Sequence, residues 1–445
     1  MLNIFGQQHG GFCDRRSRRN FIKIGALGLG GLSLPQLLRA QKETGTGRSN
    51  KAIIMIYLPG GPPHQDMYDL KMDAPSNVRG EFSPISTKVP GIRICEHLPR
   101  MAAMADKLVF VNSLVGSIGQ HASFQCTTGR SSNNQPAGGW PELGTVISRL
   151  QGGEKETVPS YINLSPKMKH SPYNFGKNSF VGVSHRAFMP LGDTKSDMTL
   201  QGITMERLED RRRLLKSFDG LRRNLDASGM MEGMDAFQEE AFDLLTSSRL
   251  LEALDLSKED PKIRERYGKG TSKVQGDAAP RMNEQFLVAR RLVEAGARVV
   301  TVSYSFWDWH GSNFARAKEN FPDFDQALTA LVEDLHQRGM ADDTTVIAWG
   351  EFGRMPTINK NAGRDHWPRV ANALLACGGM RTGQVIGTTD RMGGEADERP
   401  VHFQEIFATL YHNMGIDINK ATLPDLSGRP QFLVDTEHQP LPEVI

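Results

Sequence analysis

Five stretches of this chain are predominantly apolar, and each is too short to be a helix. They are Lys51–Leu58 (KAIIMIYL), Leu108–Leu114 (LVFVNSL), Val158–Leu164, Ala297–Tyr304 (ARVVTVSY) and Thr344–Trp349 (TTVIAW). Apolar runs of this length predict strands buried on both faces, as in a parallel sheet. Two amphipathic segments, Asn283–Ala295 and Asp323–Arg338, precede the last two strands. Strands alternating with helices of this length argue for βαβ units. Residues 205–265 differ in texture. Glu206–Leu225 and Met234–Leu254 are charged, helical in period and poor in β-branched residues, and a Gly/Lys/Ser loop follows at 268–276. They predict a helical insertion, bounded at about 205–280. There is no internal repeat.

The first forty residues have a pattern of their own. Ser17-Arg18-Arg19-Asn20-Phe21-Ile22-Lys23 closes a basic patch, and the glycine-rich apolar run Ile24–Leu34 follows, then Pro35 and a Leu38-Arg39-Ala40 end. A positive start, a short apolar run and a small-residue exit predict a twin-arginine (Tat) export signal over 1–40. The run is too short to span a bilayer comfortably. Residues 41–50 are a polar linker, and 51–445 form one large domain. On this reading the partners are the Tat translocase during export and, in the periplasm or cell envelope, the ligand. No segment after residue 40 is apolar enough to cross a membrane.

Composition narrows the rest. Residues 1–40 hold six Lys/Arg against one acid, which leaves the remainder of a +2 chain at about −3. No basic block survives there, so nucleic acid is not an expected partner. Of the four cysteines, Cys13 lies in the signal. Cys95, Cys126 and Cys377 have no metal-ribbon spacing, and an odd count fits poorly with a disulfide framework. Cys126 and Cys377 are expected as core thiols.

Ligands in open α/β sheets bind beyond the carboxyl ends of the strands. After the first strand comes His64-Gln65-Asp66. Ser117–His121 follows the second, Trp307-Asp308-Trp309-His310 the Ala297 strand, and Gly350–Arg354 with Glu351 the Thr344 strand. Arg364-Asp365-His366 comes a dozen residues later. Histidine with carboxylate and no thiolate suits zinc first, with manganese, magnesium or calcium as alternatives. The metal candidates are Asp308, His310, Glu351, Asp365, His366, His64 and Asp66. Each pair also has a plainer reading. Asp308 and His310 make a loop cap, Glu351 pairs with Arg354, Asp365-His366 is a turn beside a surface histidine, and His64 with Asp66 is an Asx-type cap. His170 and the remaining histidines lack such placement and read as core or surface.

The motifs PGGPPHQDMYD (59–69), SFWDWHGSNF (305–314), WGEFGRMP (349–356) and GRDHWP (363–368) closely resemble the exported bacterial family catalogued as domain of unknown function 1501. AGARVVTV (295–302), LVEDLHQRGM (331–340) and GQVIGTTD (383–390) extend the resemblance over the whole mature chain. That family is in turn similar to the alkaline phosphatase/sulfatase superfamily. The supporting segments are HASFQCTTGR (121–130), TTVIAWGEFG (344–353), VHFQEIFATLYHNMGID (401–417) and LSGRP (426–430). The resemblance implies an alkaline phosphatase-like three-layer α/β sandwich with a mostly parallel central sheet and a helical insertion. It implies Asp308 and His310 as the Asp…His pair that binds one ion, Glu351 standing for a superfamily aspartate with Phe352 replacing its histidine neighbour, and His366 standing for the later ligand histidine. Counting back from Thr128-Gly129-Arg130 puts the nucleophile position at Gly119, which speaks against a standard formylglycine sulfatase. Gly60-Gly61 replaces the first acidic ligands, unless His64 and Asp66 take over.

The expected function is a metal-dependent hydrolase of phosphate or sulfate esters, acting on a small-molecule or polysaccharide anionic ester. Metal-activated water would attack directly. His121 would act as general acid or base, Ser117 would react or bind, and Arg354 or Arg364 would hold the anion. Trp307, Trp309 and Trp367 would stack on sugar, or else pack in the core. The alternative is a non-catalytic, metal-containing envelope protein that binds a polysaccharide or another anionic ligand.

Overall fold

The computed structural model describes residues 50–152, 158–191 and 248–445. The expected export signal, nearly all of the expected linker and most of the expected insertion lie outside these residues. Within them no helix is long and apolar enough to cross a membrane.

The five apolar runs all become strands of one eight-stranded sheet. In chain order its strands are β1 (Ala52–Tyr57), β2 (Leu108–Val115), β3 (Tyr161–Asn163), β4 (Val299–Ser303), β5 (Thr344–Trp349), β6 (Ala371–Cys377), β7 (Gln384–Ile386) and β8 (Val401–His402). The spatial order is β7-β2-β6-β5-β1-β4-β3, with β8 also on β2. Every pairing is parallel except those of β6, which runs against both neighbours. β6 (ANALLAC) was not expected from the sequence. It is a short run of small residues with little of the β-branched signal that marks β1 and β4.

Alternation along β1 divides the core. Ile54 and Ile56 point to one face, against Phe286 and Leu292 of α1 (Glu284–Ala295) and Phe321 and Leu328 of α2 (Asn313–Gln337). Ile53 and Met55 point to the other, against Ile147 of the helix Leu143–Gln151 and Ile406 and Phe407 of α3 (Phe403–Asn413). The result is a three-layer α/β sandwich. Each fully buried aliphatic or aromatic side chain contributes roughly 1.5–3 kcal/mol.

Two elements depart from the sequence reading. α2 starts at Asn313, ten residues before the expected Asp323, and carries Pro322 inside it. Proline removes one backbone hydrogen bond, but Phe314, Ala317 and Phe321 bury the early turns and offset that loss. The Gly/Lys/Ser loop forms a small antiparallel ribbon, Thr271–Val274 with Pro280–Arg281. The helix Ser248–Leu254 keeps the end of the expected insertion and buries Leu250 and Ala253 in the α1/α2 layer.

Tyr57 is in register with Ser303 on one side and Trp349 on the other. The turns after β1, β4 and β5 therefore leave the sheet side by side. Gly60 and Gly61 have positive φ, and a Cβ at either would strike Asp308 or the Phe352 carbonyl. Glycine lets the three turns touch.

Candidate metal centre

Asp308 and His310 stand on the turn after β4. His366 arrives on a two-residue ribbon in which it pairs with Arg354. These three residues meet. Oδ1 of Asp308 is 2.9 Å from Nε2 of His310 and 3.1 Å from Nε2 of His366, and the two nitrogens are 3.1 Å apart. The other nitrogen of each ring is committed. His310 Nδ1 is 2.6 Å from Oδ1 of Asp365, and His366 Nδ1 is 3.1 Å from the Gly119 carbonyl. Both partners are acceptors, so in the neutral rings Nδ1 carries the proton and Nε2 presents a lone pair. Of the three converging atoms Asp308 Oδ1 has the Arg354 guanidinium at 2.6 Å; the two ring nitrogens face each other with no proton between them, which a cation among the three would relieve. A tetrahedral ion with ligand bonds of about 2.0–2.1 Å holds its ligand atoms roughly 3.3 Å apart. The observed triangle matches to within a few tenths of an ångström. His310 is 47% exposed, so the triangle opens to solvent.

His121 faces the cluster from the loop after β2. His121, Asp308 and His366 each offer a ligand atom within 4.8 Å of the others. Nε2 of His121 is 3.2 Å from Oδ2 of Asp308, and Nδ1 is 3.1 Å from Oε1 of Glu351. Burial of the ring pulls its pKa down, but the two carboxylates outweigh that and push it up to about 9. The ring is an imidazolium at neutral pH, donating at both ends. Burial works to raise the Asp308 carboxyl. The hydrogen bond from His121 and the Arg354 guanidinium hold it far below the usual carboxylate range.

The other sequence candidates surround this centre. Glu351 is 1% exposed and does not face the triangle directly. It accepts from the Gly60 N–H at 3.0 Å, the Tyr57 hydroxyl at 3.1 Å and His121. Asp365 backs His310 and also accepts from Asn359 at 3.1 Å; the His310 hydrogen bond keeps its carboxyl low. Arg354 touches Oδ1 of Asp308 at 2.6 Å, but it also donates to the carbonyls of Gly60, Gly61 and Arg364. Every nitrogen of that guanidinium is engaged. Arg364 is fully buried in a bidentate pair with Asp66, both bonds 2.7 Å, so it cannot hold a ligand anion and Asp66 is tied to the fold. His64 is also fully buried, with Nε2 3.1 Å from the Gly393 carbonyl, away from the cluster. Ser117 lies two residues before Gly119, and its buried Oγ has no hydrogen-bond partner among the described residues. Trp307 and Trp309 are stacked in the core at 0% and 1% exposure, which corrects the sugar-stacking expectation for both. Cys126 and Cys377 are buried free thiols, as expected, and so is Cys95.

Sequence reasoning missed Tyr173 and His170 in the wall. Tyr173 places its hydroxyl 3.0 Å from Nδ1 of His121, His170 packs its ring 5.0 Å from the His121 ring, and Phe352 packs 4.4 Å from His366. The strand-end rule would have found His170 and Tyr173, because both lie on the loop after β3.

A family model described as "Protein of unknown function (DUF1501)" matches residues 50–445. The chain belongs to that family. No curated protein matches this DUF1501 chain. Solved structures similar to it include the PsFucS1 sulfatase from Pseudoalteromonas sp., at 11% identity and a TM-score of 0.35, covering 90% of this chain and 72% of that one. The phosphonate monoester hydrolase SpPMH from Silicibacter pomeroyi is similar at 11% identity and a TM-score of 0.34, covering 83% and 74%. The C-terminal periplasmic domain of EcEptC from Escherichia coli, in complex with Zn, is similar at 9% identity and a TM-score of 0.35, covering 84% and 87%.

Proposed function

We propose that this chain is an exported, metal-dependent hydrolase of phosphate or sulfate esters with an alkaline phosphatase-like fold. One observation carries the reading: the Nε2 lone pairs of His310 and His366 converge on Oδ1 of Asp308 while each Nδ1 is braced from behind. Asp308, His310 and His366 would hold the ion. Two imidazoles and a carboxylate suit zinc best, and three protein ligands leave a position open for substrate or water. Bound there, the ion would act as a Lewis acid on the ester oxygen and lower the pKa of water toward about 7.

The chain's own groups do the rest. His121, clamped between Asp308 and Glu351, carries a proton that a departing alkoxide oxygen can take. Tyr57 and the Gly60 N–H hold Glu351, and Glu351 with Tyr173 orients the ring. Gly119 offers no side-chain nucleophile, so water is the attacking group. Arg354 fixes Asp308 rather than the anion.

Elemental analysis of protein from its native compartment should find a divalent metal. The loaded protein should hydrolyse at least one member of a panel of phosphate and sulfate mono- and diesters. His366→Ala should lose both the metal and turnover. Metal-free native protein, or unchanged turnover in His366→Ala, would sink the assignment. Metal without turnover across the panel would favour a metal-containing binding protein of the envelope, the reading that Gly119 supports.

A further inference from the structure

Three loops meet on a surface that the proposed chemistry leaves unused. Residues 131–141 (SSNNQPAGGWP) and 178–184 (NSFVGVS) carry no charged side chain, and the hairpin tip 424–432 (PDLSGRPQF) carries only Asp425 and Arg429. The tip joins the antiparallel strands Thr422–Pro424 and Pro430–Phe432. Leu426 Cδ1 and Phe180 Cα lie 2.8 and 3.0 Å from where a Cβ on Gly138 would stand, so the three loops touch there. Phe180 packs its ring 6.0 Å from Trp140, and Phe432 lines a recess with both. Leu426 is 71% exposed, Val183 63% and Phe432 42%, and the first two are the most exposed large apolar side chains among the described residues.

The charge left on this surface is positive. Asp425 is buried, with Oδ1 accepting from the main-chain N–H groups of Ser427 and Arg429 and Oδ2 from the Gln431 amide. Asp435 is spent on Arg130 at 2.6 Å and on Gln404 at 2.7 Å. Arg429 is exposed, and so is Lys177 at the edge of the second loop. Exposed aliphatic tips beside cations fit the boundary between anionic headgroups and acyl chains. Sugar fits less well. Leu426 and Val183 have no flat face to stack on, and the Arg130 guanidinium covers one face of Trp140, 3.7 Å from the ring centroid. A second copy of the chain also fits less well, because two like surfaces would bring their cations together.

We propose that this surface rests on an anionic lipid bilayer, with Leu426, Val183 and Phe432 at the acyl boundary and Arg429 and Lys177 among the phosphates. Arg130, which stacks on Trp140, follows the helix Ser123–Thr128, and that helix begins two residues after His121. A helix of that length spans roughly 9 Å, so lipid contact is tied through one short element to the candidate centre. Docking of this kind does not depend on the neighbouring cluster being an ester site.

Vesicle sedimentation tests it with the exported protein isolated from its native compartment. The probes are vesicles of phosphatidylglycerol mixed with phosphatidylethanolamine, against vesicles of phosphatidylcholine. The protein should bind the anionic vesicles about tenfold more tightly, and the preference should shrink at high salt. Leu426→Ser should weaken that binding about tenfold, because a leucine side chain no longer leaves water. Val183→Ser should weaken it in the same direction, and Arg429→Gln should cut the preference for anionic lipid about fivefold. All three side chains are exposed, so the fold and the metal content should stay as in the parent. Amide hydrogen exchange at residues 425–429 should slow when anionic vesicles are added, which separates contact at the tip from contact elsewhere in the chain. Equal binding to both kinds of vesicle, binding that survives in both serine variants, or exchange at the tip that vesicles leave unchanged overturns the inference. Slowing that needs no vesicles and grows with protein concentration would assign the surface to a second copy and overturns it as well. Each of these results leaves the metal-centre reading standing.

Discussion

At the scale of single residues, one buried histidine makes a measurable statement about pH. His64 is fully buried, its Nε2 donates to the Gly393 carbonyl, and its Nδ1 has no hydrogen-bond partner among the described residues. Burial dominates and lowers its pKa from 6.5 to about 4. The unfolded chain takes up a proton below about 6.5 that the folded chain refuses until about 4. The stability tied to this histidine is therefore complete above pH 6.5 and is lost as pH falls toward 4, to the extent of about 2 kcal/mol at pH 5. Urea unfolding at pH 7 and pH 5 should show that extra loss in the parent and not in His64→Gln, which keeps a donor at the ε position. An identical pH dependence in both would mean that the ring is already charged in the fold. The same residue shows where sequence reasoning stops. His64 and Asp66 sit at a strand end as His310 does, and spacing alone does not reveal that Arg364 claims Asp66. Nor does it separate Asp308, which faces the centre, from Glu351 and Asp365, which stand behind histidines.

At the scale of elements, three turns must touch for the centre to exist, and glycine allows it. Gly60→Ala would force a side chain into Asp308 and hold a left-handed backbone with a Cβ. Gly428 has a comparable φ of +77° but open space around it, so Gly428→Ala bears the backbone strain alone. That strain costs about 1 kcal/mol, and the clash at Gly60 should raise the total to roughly 2–4 kcal/mol and lower metal content. Denaturant midpoints for the two variants, with metal analysis, separate the contributions. If Gly60→Ala were no worse than Gly428→Ala, the turns would not be packed as described. The elements themselves were readable in proportion to their regularity. β1, β4 and β5 are buried on both faces and announce themselves as apolar runs. β6 is built of small residues, and the first turns of α2 hide behind Pro322. The loop carrying His170 and Tyr173 has no periodicity to read, although its place after β3 was visible.

At the scale of the whole molecule, the centre joins parts that are distant in sequence. Asp308 and His310 come from the turn after β4, His366 from the ribbon after β5, and the Gly119 carbonyl that braces His366 from the loop after β2. Export is tested separately. Lysine at both Arg18 and Arg19 should leave the folded protein in the cytoplasm, because the pair is read by a receptor rather than packed in a core; normal fractionation of that variant would exclude the Tat route. The ion itself would act as a cross-link that exists only in the folded state. A ligand present at a thousand times its dissociation constant stabilises the fold by about 4 kcal/mol, and for a domain of this size that corresponds to a rise in melting temperature of roughly 5 °C. Stripping the protein with a chelator should therefore lower the melting temperature by that order, and zinc should restore it. In His366→Ala the two nitrogen lone pairs become one, and zinc should give little or no rise. An equal rise in parent and variant would place the ion outside the Asp308–His310–His366 triangle. No rise in either would mean that the three lone pairs do not gather an ion, and the hydrolase reading would lose the observation that carries it.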